Sequence, residues 1–237
     1  MLRYGHMPDA SAVHLDNALF PPWRECFELA WDALRAGSVP VGAMIVDQHG
    51  TVVSRGRSRS LEATGPAGQL WDTYLAHAEV NALAGLPSGH YPRHTLYTTL
   101  EPCLLCSAAA TLCHVGTVRY AGSDPLWSGV ERLPELNEHI ARRWPARYGP
   151  VDGPLALFGT LFPLIFSLRR DPHGPVAVSH ERSMPLVVAL ARDLLASGEA
   201  DSLETESMPD ALATVWDRFH MVGHLPYGAG YHDADHL

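Results

Sequence analysis

His77-Ala78-Glu79-Val80 and, further along, Thr99-Leu100-Glu101-Pro102-Cys103-Leu104-Leu105-Cys106 decide how this chain is read. One histidine and two cysteines can hold a zinc ion and leave its fourth position open, the pattern of a catalytic rather than a structural site. Cys103 and Cys106 stand three apart, so on a helix their side chains share a face. At a helix N-terminus the free N–H groups and the macrodipole stabilise thiolates, the form that binds metal. Residues two apart diverge in a helix interior, so His77 and Glu79 can face one cavity only from a first turn. Two helix N-termini meeting at one metal satisfy all of these constraints.

The elements around this stretch follow from period and punctuation. Pro21-Pro22 opens a helix at about 23–36, with Trp23, Phe27, Ala30, Trp31 and Leu34 on one face and Gly37 after it. Val41 to Asp47 and Thr51 to Arg55 read as a hairpin joined by Gln48-His49-Gly50. Gly42 stands either where backbone approaches a ligand or where strand packing needs no side chain. Residues 56–76 form a long connection carrying Leu70, Trp71, Tyr74 and Leu75, either a substrate cover or a short packing helix. A helix is expected at about 76–85, a strand at Thr95 to Thr99, a helix at about 103–114 and a strand at Thr117 to Ala121. The strand–helix–strand unit implies a parallel pair with a right-handed crossover.

Further on, one helix is expected at 131–144, and the apolar run Leu155 to Leu168 has no assigned type. After Arg169-Arg170-Asp171-Pro172 two amphipathic helices are expected, at about 185–197 and 209–220, with Ser207 and Asp210 as a capping box for the second. Their apolar faces need burial, on the preceding unit or across a dimer. The chain thus divides into an N-terminal arm (1–21), a main domain (22–170) and a helical extension (171–237) whose end, from His224, reads as mobile.

Of the 237 residues, 46% are hydrophobic, and no apolar stretch approaches the roughly 18 residues of a membrane span. No secretory signal is visible, so a cytoplasmic location is expected. The net charge of −9 argues for a small-molecule substrate over nucleic acid, although Arg55, Arg57 and Arg59, and Arg142, Arg143 and Arg147, form local basic runs. Cys26 and Cys113 read as small core residues. The tail group His232, Asp233, Asp235 and His236 is metal-like only in composition, and the other histidines read as surface or core residues. A redox CxxC pair and a closed structural zinc site compete with the open-site reading; the upstream His77 and Glu79 weigh against both.

At these residues, with Pro40-Val41-Gly42-Ala43, the chain resembles the cytidine deaminase-like superfamily, in the branch of guanine, cytosine and tRNA adenosine deaminases. The resemblance covers about residues 22–170. It implies an α/β fold, a three-layer α/β/α sandwich around a mixed sheet of about five strands, here with a helical C-terminal extension, and usually a homodimer. It also implies one zinc per chain on His77, Cys103 and Cys106, with Glu79 as the proton shuttle. Ser58 stands where relatives commonly place an asparagine that contacts substrate. The 56–76 loop is longer than usual, and residues from about 171 have no counterpart.

The expected function is zinc-dependent hydrolytic removal of an exocyclic amine from a nucleobase, nucleoside or similar small heterocycle. A zinc-bound hydroxide would be the nucleophile and Glu79 the proton carrier. Ser58, Ala78, Asp124 and Trp127 are the candidate substrate contacts. Trp127 either stacks on the ring or closes the core, and Asp124 either binds the substrate or caps a turn. Alternatives are a tRNA adenosine deaminase and a non-catalytic, zinc-stabilised interaction module.

Overall fold

In the computed structural model, which describes residues 21–221, a five-stranded sheet has the order β2-β1-β3-β4-β5. Helix α1 (Pro21–Arg35) precedes the antiparallel pair β1 (Gly42–Val46) and β2 (Val52–Arg57), and β1 also pairs antiparallel with β3 (Thr95–Leu100). Helix α2 (Ala78–Ala84) lies before β3. Helix α3 (Leu104–Leu112) is the crossover that makes β3 and β4 (Thr117–Gly122) parallel, and β5 (Ala146–Tyr148) extends that pairing. The sheet is therefore mixed, as expected. The N-terminal arm and the tail group at 232–236 lie outside the described residues.

All five β1 residues are buried because both faces of the sheet are covered, so the strand is uniformly apolar rather than alternating. On one side α1 packs Phe27 and Trp31 against Phe158 and Phe162 of α6 (Pro154–Arg170); on the other, Ala78, Ala82 and Leu83 of α2 join Ile45, Leu96 and Val118. A Cβ at Gly42 would meet Cys26 O at 2.1 Å, so this glycine serves packing against α1 and not approach to a ligand. Gly159 and Gly122 let α6 cross the sheet at backbone contact, since a Cβ on Gly159 would lie 2.2 Å from Thr99 O. That crossing fixes where α6 stands over the ends of β3 and β4.

Three expectations change before α6. The single helix at 131–144 is two short ones, α4 (Leu133–Leu136) and α5 (Glu138–Ala141), because Asn137 turns extended and its side chain caps α5 by accepting from His139 N and Ile140 N. The loop before His77 contains no helix, and its aromatic residues do not cover a site: Trp71 is exposed and Tyr74 is 89% exposed. The loop is held instead by polar bonds. Arg57 and Arg59 both pair with Glu62, and the Asn81 side chain bonds Leu70 through both its N–H and its carbonyl. Cys26 is fully buried, but Cys113 is only half-buried at the end of α3.

The apolar run at 155–168 is α6. Beyond it come four helices where two were expected: α7 (Pro175–Ser183), α8 (Pro185–Ser197), α9 (Glu199–Thr205) and α10 (Met208–Met221). Pro175 and Pro185 each open a helix, where the missing N–H costs nothing. Ser207 Oγ accepts from Asp210 N at 3.3 Å, one half of the expected capping box; its hydroxyl, not its backbone N–H, meets the Asp210 carboxylate. Val187, Leu190, Ala191 and Leu194 of α8, with Ala211, Leu212 and Val215 of α10, join one apolar cluster with α6 and α1. Trp31 Nε1 donates to Glu206 O at 3.1 Å, and the Arg35 guanidinium donates to the same carbonyl. No helix among the described residues is long and apolar enough to cross a membrane.

Candidate active site

His77 is the N-cap of α2 and Cys103 the N-cap of α3, so the two helix starts meet at the ends of the central strands. Glu79 lies in the first turn of α2, and Cys106 in the first turn of α3, where its N–H donates to Cys103 Sγ at 3.5 Å. His77 Nδ1 stands 3.5 Å from Cys103 Sγ and 3.4 Å from Cys106 Sγ, and the two sulfurs are 3.5 Å apart. Zinc bonds of about 2.3 Å to sulfur and about 2.0 Å to nitrogen, at tetrahedral angles, require edges of about 3.5–3.8 Å. The three atoms fit. Among the described residues this cluster has three members, leaving a fourth position for a small molecule.

The electrostatics agree with that donor set. A hydrogen bond from Cys106 draws the Cys103 thiol down to about 4, and the same bond holds Cys106 well above the ordinary thiol range. The pair thus shares one proton, which a dication would displace so that both bind as thiolates. Glu79 is 3% exposed. Burial, reinforced by the Cys103 charge, raises its carboxyl above the usual range. Thr98 Oγ1 donates to Glu79 Oε1 at 3.0 Å and orients it, while Oε2 lies 3.2 Å from Cys106 Sγ.

A cavity of about 190 Å³ opens on these groups. His77, Ala78, Glu79 and Cys103 line it, and so do Ser58, Asp124 and Trp127, bringing together every residue singled out in the sequence except the buried Cys106. Ser58 follows β2 and is anchored by its N–H to Val41 O at 3.0 Å. Asp124 does cap a turn: its Oδ1 accepts from Leu126 N at 3.1 Å at the head of the 3₁₀ turn Pro125–Trp127. It also faces the cavity, where burial raises its carboxyl to about 7. Trp127 lines the wall and does not close the core.

Sequence reasoning missed Ser60, Glu101 and, from the second half of the chain, Ser167, Val176 and His180, all of which line the cavity. Glu101 adjoins Pro102 and had a local signal; it accepts from Asp124 N and pairs with Arg147. Ser60 stands two residues after Ser58, whereas Ser167, Val176 and His180 had no signal, because only the course of α6 and α7 brings them here. The basic runs are largely spoken for: Arg55 pairs with Glu25, Arg57 and Arg59 with Glu62, Arg142 with Glu138 and Arg147 with Glu101.

Residues 22–121 match the family described as the cytidine and deoxycytidylate deaminase zinc-binding region. A tRNA-specific adenosine deaminase of Aquifex aeolicus is 30% identical over 140 residues, covering 55% of this chain and 84% of that protein. The chain belongs to this deaminase family. Its His77, Cys103 and Cys106 are the family's zinc-binding triad, and they are intact. A tRNA(Ile)-lysidine synthase of Deinococcus radiodurans is 36% identical over 124 residues, which are 51% of this chain; the chain spans only 19% of that protein's length. Among solved structures, a guanine deaminase from Bacillus subtilis is similar at 26% identity and a TM-score of 0.37, over 44% of this chain and 64% of that one.

Proposed function

We propose that this deaminase acts by hydrolysis on a free, neutral amino-heterocycle, with Glu79 as proton carrier and Ser58, Ala78, Asp124 and Trp127 as substrate contacts. The observation that carries the reading is the cavity wall. It brings Glu79 and the zinc ligands to a space suited to one or two fused rings, and no Lys or Arg is among its described lining residues. A phosphate-bearing substrate needs cationic donors there; a neutral ring does not. The space is also smaller than the roughly 300–1,000 Å³ of drug-sized sites. Residues 22–170 are the proposed deaminase unit and 171–237 its extension, and the family resemblance adds a homodimer to the proposal.

In this mechanism the ring carbon bearing the amine is attacked by water. Glu79 takes a proton from that water and delivers it to the adjacent ring nitrogen. A second transfer through the same carboxylate protonates the amine; the C–N bond breaks, ammonia leaves and a carbonyl remains. The raised carboxyl of Glu79 suits both halves of this task, and Thr98 holds it in one rotamer. Zinc held by His77, Cys103 and Cys106 would supply Lewis acidity, which can lower a water's pKa to about 7.

The test is ammonia release from guanine, adenine, cytosine and their nucleosides by the purified, zinc-loaded protein. Release from at least one of them is expected; release from none would sink the proposal. The likeness to the Aquifex protein supports a second reading, deamination of adenosine in tRNA. That reading requires RNA binding that weakens steeply with salt, and a failure to bind tRNA at low salt removes it. The pairing of Arg57 and Arg59 with Glu62, at side chains only 14% and 15% exposed, favours the first reading.

A further inference from the structure

His180 stands in the middle of α7, in the segment that the family motifs do not reach, yet it is 3% exposed and lines the same cavity as Glu79, Ser58 and Asp124. Helix α7 packs against both α6 and the turn that carries Trp127. The ring's Nδ1 lies 2.9 Å from Val176 O, one turn back in its own helix. A carbonyl oxygen only accepts, so Nδ1 carries the hydrogen and the tautomer is set. Nε2 is then a lone-pair acceptor, and among the described residues it has no hydrogen-bond partner. It is not a buried atom lacking a partner, the one such side-chain nitrogen or oxygen among the described residues being His94 Nδ1; solvent reaches it on a residue that lines the cavity, and a ligand's donor can take the place of that water.

The rest of that wall has the same character. Ser167 Oγ donates its hydrogen to Pro163 O at 2.9 Å, which leaves lone pairs toward the cavity that Ser167 lines. Asp124 and Glu101 add carboxyl oxygens. Burial lowers the His180 pKa, and the ring stays a neutral acceptor at pH 7.

We propose that His180 is a specificity-determining residue, its Nε2 accepting a hydrogen bond from an N–H or amino group of the bound ring. The cavity thereby selects heterocycles that present a donor in addition to the amine being removed. This rests on the reading of the site as a heterocycle deaminase. It assigns the choice of ring to the extension, while the motif residues supply the reaction.

Two variants separate the ring nitrogens. His180→Asn keeps an amide near Nδ1, within reach of Val176 O, and has nothing at the Nε2 position. His180→Gln places its amide oxygen near Nε2. The full-length, zinc-loaded wild type and both variants are assayed on guanine, adenine and cytosine, which carry a ring N–H besides the amine, and on adenosine and cytidine, whose bases do not, with zinc content and thermal transition measured alongside. The expected result is a fall in kcat/KM on the bases of about tenfold or more in His180→Asn, carried by KM, with narrowed discrimination between the bases and the two nucleosides. His180→Gln is expected to stay within about threefold of wild type. Equal kcat/KM in the two variants overturns the assignment and leaves the deaminase reading standing. No turnover of any of these bases and nucleosides by wild type removes the small-heterocycle reading, and the assignment with it.

Discussion

At the scale of single residues, Glu79 and Asp124 are both buried carboxyls, but different chemistry follows from each. Glu79→Gln preserves shape, keeps the acceptor for Thr98 and leaves the triad intact, so the variant should bind one zinc as wild type does. Its kcat should fall about 10²–10⁴-fold, the usual worth of a positioned proton carrier. Zinc analysis beside ammonia release checks this, and full turnover with full zinc would remove Glu79 from the mechanism. For Asp124, a folded carboxyl raised to about 7 holds a proton that the unfolded chain has released from about pH 4 upward. Stability from this group is therefore present at low pH and falls as pH rises through that window. Asp124→Asn still accepts from Leu126 N and cannot ionise. The Tm of the variant should gain on wild type between pH 5 and pH 8, and parallel curves would contradict the raised carboxyl.

At the scale of elements, the glycine crossing of α6 over the sheet positions one side of the cavity. Gly159→Ala would push a methyl against Thr99 O, a backbone atom that cannot swing away. Overpacking of this kind costs about 1–3 kcal/mol. Because α6 carries Pro163, Leu164 and Ser167 into the cavity wall, KM should rise together with the loss of stability. Urea unfolding and substrate kinetics read the two effects, and an unchanged midpoint would count against the close crossing. The same element shows where sequence reading stops. His77, Glu79, Cys103 and Cys106 were legible because their spacing is a local helix-terminus geometry, and α1, α8 and α10 because their apolar faces repeat at helical period. The break at Asn137 was not, since its extended backbone interrupts a pattern that reads as continuous. His180 was invisible for a different reason: its role depends on the path of the chain after α6, and nothing in a Val-Ser-His-Glu run announces a cavity.

At the scale of the whole molecule, one apolar cluster runs from α1 through α6 into the last helices. Deleting 171–237 would bare the side of α6 that α8 and α10 cover and would open the cavity at His180. The truncated protein should aggregate, or bind a hydrophobic dye strongly, and lose substrate affinity. A soluble truncation with wild-type KM would show that the extension neither completes the core nor shapes the site. The bond from Trp31 to Glu206 O carries a consequence for synthesis on the ribosome. Trp31 and Glu206 stand 175 residues apart, so the edge of α1 that Glu206 closes stays open until that later segment is made, although β1, β3 and α6 cover the rest of its face before then. Contacts of such long sequence separation form late and slowly, and chains stalled before residue 206 are the ones a holding chaperone should capture.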